Sequence, residues 1–140
     1  MINNIHNLFP CGLQHFPCSY LGVPLSLHKL SKTDLQPLVD RVGDCLPTWK
    51  SSLFNRAGRV ALTKSTLSAI PIHTSIAIGL PPWTIKTINK FRKAFIWTGT
   101  KTVSNGKCLV AWRKVCRPSD MGGLGIPDLN LLGFALRLQW

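Results

Sequence analysis

Trp83-Thr84-Ile85-Lys86-Thr87-Ile88-Asn89-Lys90-Phe91-Arg92-Lys93-Ala94-Phe95-Ile96-Trp97 is the stretch on which the fold turns. Ile85, Ile88, Phe91, Phe95 and Ile96 recur at the 3.6-residue period, so the segment reads as an amphipathic helix with one buried face. Lys86, Lys90 and Lys93 stand at i, i+4 and i+7 and form a basic row on the other side, with Arg92 at its flank. Pro81-Pro82 precedes this helix. Gly99 opens a polar, basic loop in which Asn105-Gly106 signals a turn.

Upstream, the sequence predicts further short helices. Ser31 or Asp34 can cap a helix whose apolar stripe is Leu35, Leu38, Val39, Val42 and Leu46. Pro37 fits better in a first turn that follows Asp34 than deep in a helix begun at Ser31. A second helix capped by Ser52 or Asn55 is expected to bury Leu53, Ala57, Val60, Leu67 and Ile70 and to end or kink at Pro71. Another short helix is expected within 72–80. Cys18 to Leu25 reads as one short buried strand stopped by Pro24, and residues 107–112 read as a possible strand with Cys108, Val110 and Trp112 on one face. Asp128 caps a last helix rich in leucine. The fold class is therefore mainly α, with several short amphipathic helices and minor β.

The chain of 140 residues carries 17 lysines and arginines against 5 acids, a net charge of +12. All the acids are aspartates, at 34, 40, 44, 120 and 128, and glutamate is absent. Such an excess favours a polyanionic partner, because each phosphate neutralised releases condensed counterions. Charged residues make up only 16% of the chain against about 25% in ordinary soluble domains. Few charges are available to cover the surface, which favours a segment packed against other parts of a larger protein. No membrane span is expected: the apolar run 70–83 is broken by three prolines and is shorter than the ~20 residues a bilayer requires. An intracellular location, nucleus or cytoplasm, follows by default from the lack of a targeting pattern. The five cysteines, an odd number, read as reduced thiols, with Cys108 and Cys116 structural and buried.

Several landmarks follow one another in order: Tyr20-Leu21-Gly22-Val23-Pro24-Leu25, Trp49-Lys50, Ala57-Gly58-Arg59-Val60, Phe95-Ile96-Trp97-Thr98-Gly99, Val110-Ala111-Trp112 with Val115-Cys116-Arg117-Pro118, and Gly122-Gly123-Leu124-Gly125-Ile126. This series resembles the region that follows the polymerase domain in the reverse transcriptases of plant non-LTR (LINE-type) retrotransposons, from about Phe16 to the end. Phe54 departs from the pattern, standing where relatives commonly have serine. Residues 1–17 are turn-rich and mixed, with no clear period, and read as an irregular segment. The resemblance implies a thumb-like or connecting, mostly helical section over 18–140, which helps to hold template RNA and nascent DNA. The run of the last helix into Trp140 without a cap reads as truncation.

Catalysis is not expected of this chain alone. Polymerase chemistry needs clustered carboxylates around two metal ions, and the family's aromatic-x-Asp-Asp motif is missing. Asp40 and Asp44 share a helix face but have no third acid nearby, and endonuclease or ribonuclease H carboxylate sites are likewise not expected. His6, Cys11, His15 and Cys18 supply metal-ligand types without the spacing of paired zinc knuckles, so no metal and no other cofactor is assigned. Gly122-Gly123-Leu124-Gly125 lacks the lysine of a phosphate loop and reads as a site of positive φ or close packing. His28 and His73 have no evident partners.

The expected partners are nucleic acid, RNA or an RNA–DNA hybrid, and the remainder of the polyprotein. The candidate phosphate contacts are Lys86, Lys90, Arg92 and Lys93, then Lys101, Lys107 and Arg113. Arg56, Arg59 and Lys64 could form a second row, although Arg59 could equally hold a buried structural bond. Trp97 and Trp112 read as core anchors before stacking platforms. The competing readings are a free-standing RNA- or DNA-binding module and a structural or membrane-surface protein that uses its basic amphipathic helix.

Overall fold

The computed structural model describes residues 15–46, 53–103 and 108–139. Among them the chain is mainly helical, with one small hairpin, as its periodicity requires. Strands β1 (Cys18–Tyr20) and β2 (Val23–Leu25) pair antiparallel, with Tyr20 opposite Val23 and Ser19 opposite Pro24. The single strand expected over this stretch is thus folded back on itself. Leu21 and Gly22 form the connection at φ values of 50° and 79°. Two positive φ angles are what the right-handed twist of a two-residue hairpin demands. Pro24 does not stop the strand. Hydrogen-bonded and non-bonded pairs alternate along such a ladder, so proline is tolerated at one position in two. Val23 is buried, whereas Tyr20 and Leu21 face outward.

Helix α1 (Lys32–Asp44) starts at Ser31. The Ser31 hydroxyl accepts from the Asp34 amide, and the Asp34 carboxylate accepts from the Ser31 amide at 2.8 Å. This reciprocal cap satisfies two orphan donors and sets the helix start at Ser31, so Pro37 lies inside the helix rather than in its first turn and leaves one internal bond unmade. Replacing Ser31 with alanine is expected to cost about 1 kcal/mol in denaturant unfolding. Hydrogen bonds donated by the Ser31 amide and by its hydroxyl, each at 2.8 Å, hold the Asp34 carboxyl below its ordinary range. A carboxyl depressed in the folded state stabilises above its unfolded pKa and loses that contribution as pH falls through the folded one. Acidification through that window is therefore expected to fray the first turn of α1, read as lost amide-exchange protection there.

Asn55 caps α2 (Arg56–Leu62), its side chain accepting from the Gly58 amide at 2.8 Å. Leu53 precedes the cap and Ala57 faces solvent, so neither joins the buried stripe expected of them. The helix then widens into a π turn over Thr63–Leu67. Both the amide and the hydroxyl of Ser68 donate to the Thr63 carbonyl, at 3.0 and 2.8 Å, fixing the five-residue spacing. Helix α3 (Ile70–Ala77) resumes with Pro71 in its first turn, where a missing amide costs least. The helix expected to run as far as Pro71 is thus interrupted before it, by the wide turn over Thr63–Leu67.

Helix α4 (Pro82–Thr98) is the long central element and ends at Gly99, which takes φ 75° and donates to the Phe95 carbonyl. Its apolar stripe serves two clusters. Ile85, Ile88 and Phe95 pack with Val42, Leu46, Leu67 and Leu129, and Ile96 packs with Val115 and Ile126. Full burial of each such side chain contributes roughly 1.5–3 kcal/mol, so α4 organises the core.

The strand expected near 107–112 does not form among the described residues. Leu109 and Val110 are exposed without a partner strand, and Trp112 opens a single helical turn, α5 (Trp112–Val115). A short 3-10 turn, Ser119–Met121, leads into the glycine run, where Gly122 and Gly125 take φ values of 75° and 62°. A side chain on Gly123 would collide with the Arg117 carbonyl, so the loop is close-packed as expected. Asp128 then caps α6 (Leu129–Leu138), donating no proton but accepting from the Asn130 amide at 2.9 Å. Gly133 sits against the buried Ser75 of α3 and lets the two helices approach.

Candidate nucleic-acid interface

The solvent face of α4 follows from its period. Lys86 and Lys90 are exposed and Lys93 is half-buried. Because Gly99 ends the helix in the left-handed region, the chain turns back and brings Lys101 alongside. Lys90, Lys93 and Lys101 line one groove of about 550 Å³, floored by Phe91 and Val110. Lys86 extends the row one turn beyond it. Lys101 lies across Gly43, its ammonium 3.6 Å from Asp44 and 5.6 Å from the Phe91 ring centroid. An ion pair this exposed is worth little, so Lys101 can exchange Asp44 for a phosphate at small cost.

Arg92 corrects the expectation placed on it. It is 0% exposed and points inward. Nη1 donates to Asn89 at 2.9 Å, and Nη2 donates to the Ser68 hydroxyl and to the Pro127 carbonyl, both at 2.8 Å. The guanidinium also lies over the Trp112 ring, 5.3 Å from its centroid. Burial lowers its pKa to about 10, with Cys116 and Asp128 opposing the shift, so it remains charged at neutral pH. A side chain committed in this way joins α4, the π turn, α5 and the segment before α6, and is closed to a phosphate. The same burial pushes the Cys116 thiol up, which suits a structural sulfur.

The remaining candidates are dispersed. Arg113 is exposed but belongs to a different groove of about 630 Å³, shared with Lys114 and Arg117. Those two cations were not singled out in the sequence, although Arg113, Lys114 and Arg117 share one turn by spacing. Lys107 lies outside the described residues, as do His6, Cys11, Trp49 and the Asn105-Gly106 turn. Arg56 and Lys64 of the second row line a third groove beside Trp97, of about 620 Å³. Trp97 and Trp112 are both half-buried. Among the described residues no three histidine, cysteine or carboxylate side chains come together in a way that could hold a metal ion, and no helix is long and apolar enough to cross a membrane.

The arrangement defines a mainly helical, strongly basic chain whose long central helix offers a lysine-lined groove to an anion. In sequence it is similar to a protein of Arabidopsis thaliana that carries the provisional name ribonuclease H protein. The two are 31% identical over 114 residues, which is 81% of this chain and 18% of the relative. The chain thus spans less than a fifth of the length of that curated relative. No family model and no solved structure matches it.

Proposed function

We propose that this chain is a non-catalytic segment of a plant retroelement reverse transcriptase, of the non-LTR type, and that it grips nucleic acid by its phosphates. The observation that carries the binding reading is the convergence of Lys90, Lys93 and Lys101 on one groove, with Lys86 continuing the row. Long cations one helical turn apart follow a phosphate backbone without reading bases. The ordered landmarks from Tyr20 to Ile126 and the plant relative support the family reading. The aspartates at 34, 40, 44, 120 and 128 are never adjacent, so the two-metal chemistry of a polymerase would come from another part of the polyprotein.

Lysine footprinting tests the groove. With a short single-stranded RNA bound, acetylation of Lys86, Lys90 and Lys93 is expected to slow severalfold, while the exposed Lys29 and Lys32 beside α1 react as before. Uniform protection of all lysines, or none, would show that RNA does not bind in this groove.

A further inference from the structure

Helix α6 is apolar on more than the face it buries. Leu129 and Gly133 face inward, yet Leu131, Phe134 and Leu138 are 70%, 59% and 71% exposed. These three stand at i, i+3 and i+7, so they form one outward stripe. At the start of the stripe, Leu131 also lines the groove that holds Arg113, Lys114 and Arg117. The acid lining that groove is Asp128, and one of its oxygens accepts the cap hydrogen bond from Asn130. A greasy ridge therefore runs into a concave, cationic rim.

We propose that this face docks an amphipathic helix of a protein partner whose apolar stripe is flanked by acidic side chains. The spacing of Leu131, Phe134 and Leu138 matches the anchor spacing by which one helix packs on another. Arg113, Lys114 and Arg117 supply the complementary charge, with the two arginines suited to bidentate carboxylate contacts. A second copy of this chain is a poor occupant, since it brings the same +12 charge and the same cations to the contact. Nucleic acid would satisfy the rim and leave the apolar stripe uncovered. A bilayer surface would meet the stripe but not fill the groove beside it. The partner is thus distinguished from the polyanion of the α4 groove by needing both features together.

The test uses the whole chain and two designed helical peptides, each with leucines at i, i+3, i+4 and i+7. One has glutamate flanks and the other lysine flanks. The glutamate peptide is expected to bind at least about tenfold more tightly, and Phe134→Asp to cost about tenfold or more, as for an aromatic interface anchor. Phe134 is exposed, so this variant should keep the parent melting temperature. The pair Arg113→Glu and Lys114→Glu should invert the preference towards the lysine peptide. Equal binding of both peptides, or indifference to Phe134→Asp, overturns the proposal. So does a Phe134→Asp effect seen only on self-association, or only on vesicles of phosphatidylserine and phosphatidylcholine.

Discussion

Arg92→Ala is expected to destabilise the chain by about 3–4 kcal/mol, a large part of the ~5–15 kcal/mol that holds a typical domain together. The substitution empties a fully buried volume and strands three acceptors at once: the Asn89 side chain, the Ser68 hydroxyl and the Pro127 carbonyl. Lysine is not a conservative replacement, because a single ammonium cannot span partners that the planar fork reaches from two nitrogens. Arg92→Lys should therefore be nearly as damaging as alanine. Arg92→Met keeps the bulk and sheds the desolvation cost, and should lose only about 1–2 kcal/mol. Denaturant midpoints order the three variants. An Arg92→Lys variant as stable as the parent would show that charge, rather than the fork, holds this junction. Arg92→Met should also keep its affinity for RNA wherever it is folded, since the side chain never reaches a phosphate. Alkaline pH does not loosen the junction by discharging Arg92. With the folded pKa lowered to about 10, below the ordinary arginine value, the unfolded chain holds the proton more tightly, and stability rises as pH climbs through the window between the two.

The second large effect falls on binding. Replacing Lys90, Lys93 and Lys101 together by alanine removes the cations that line the α4 groove. Each phosphate neutralised on a single strand contributes about −0.7 to the slope of log K against log salt. Three contacts carry about two units of slope, which at ~0.15 M salt relative to 1 M amounts to roughly 50-fold in affinity. Stability should change little. The Lys101–Asp44 pair is exposed, and none of the three residues is fully buried. Fluorescence anisotropy on a labelled RNA reads the loss directly.

Several elements could be read from residue order because local physics decides them. The α4 stripe, its glycine stop and the Asp128 cap need no distant partner. Arg92 was misread although its position was informative. It lies four residues after Ile88 and three before Phe95, on the buried stripe itself. Its charge suggested solvent, whereas the partners that make burial tolerable come from Ser68 and Pro127, far away in sequence. The hairpin was hidden by Leu21, a residue type that seldom adopts positive φ. The expected strand near 107–112 had the alternation of a strand but no neighbour to pair with among the described residues. The π turn depends on Ser68 donating twice to one carbonyl, a choice that helical periodicity does not encode. For the site, spacing gave the lysine row on α4. The return of Lys101 to that row depends on the turn at Gly99, and the grouping of Arg113 with Lys114 and Arg117 on the path of the chain around α5. In α6, apolar residues occur on every side, so composition alone could not say which would be left uncovered.

The most direct test of the central claim is the salt dependence of RNA affinity for the parent chain and for the triple lysine variant, side by side. Phosphate contacts in the α4 groove require a steep linear fall of log K with log salt for the parent, and a slope shallower by about two units for the variant. Parallel lines would mean that the α4 groove makes no phosphate contacts, and a flat parent line would mean that this chain does not bind nucleic acid through its charge.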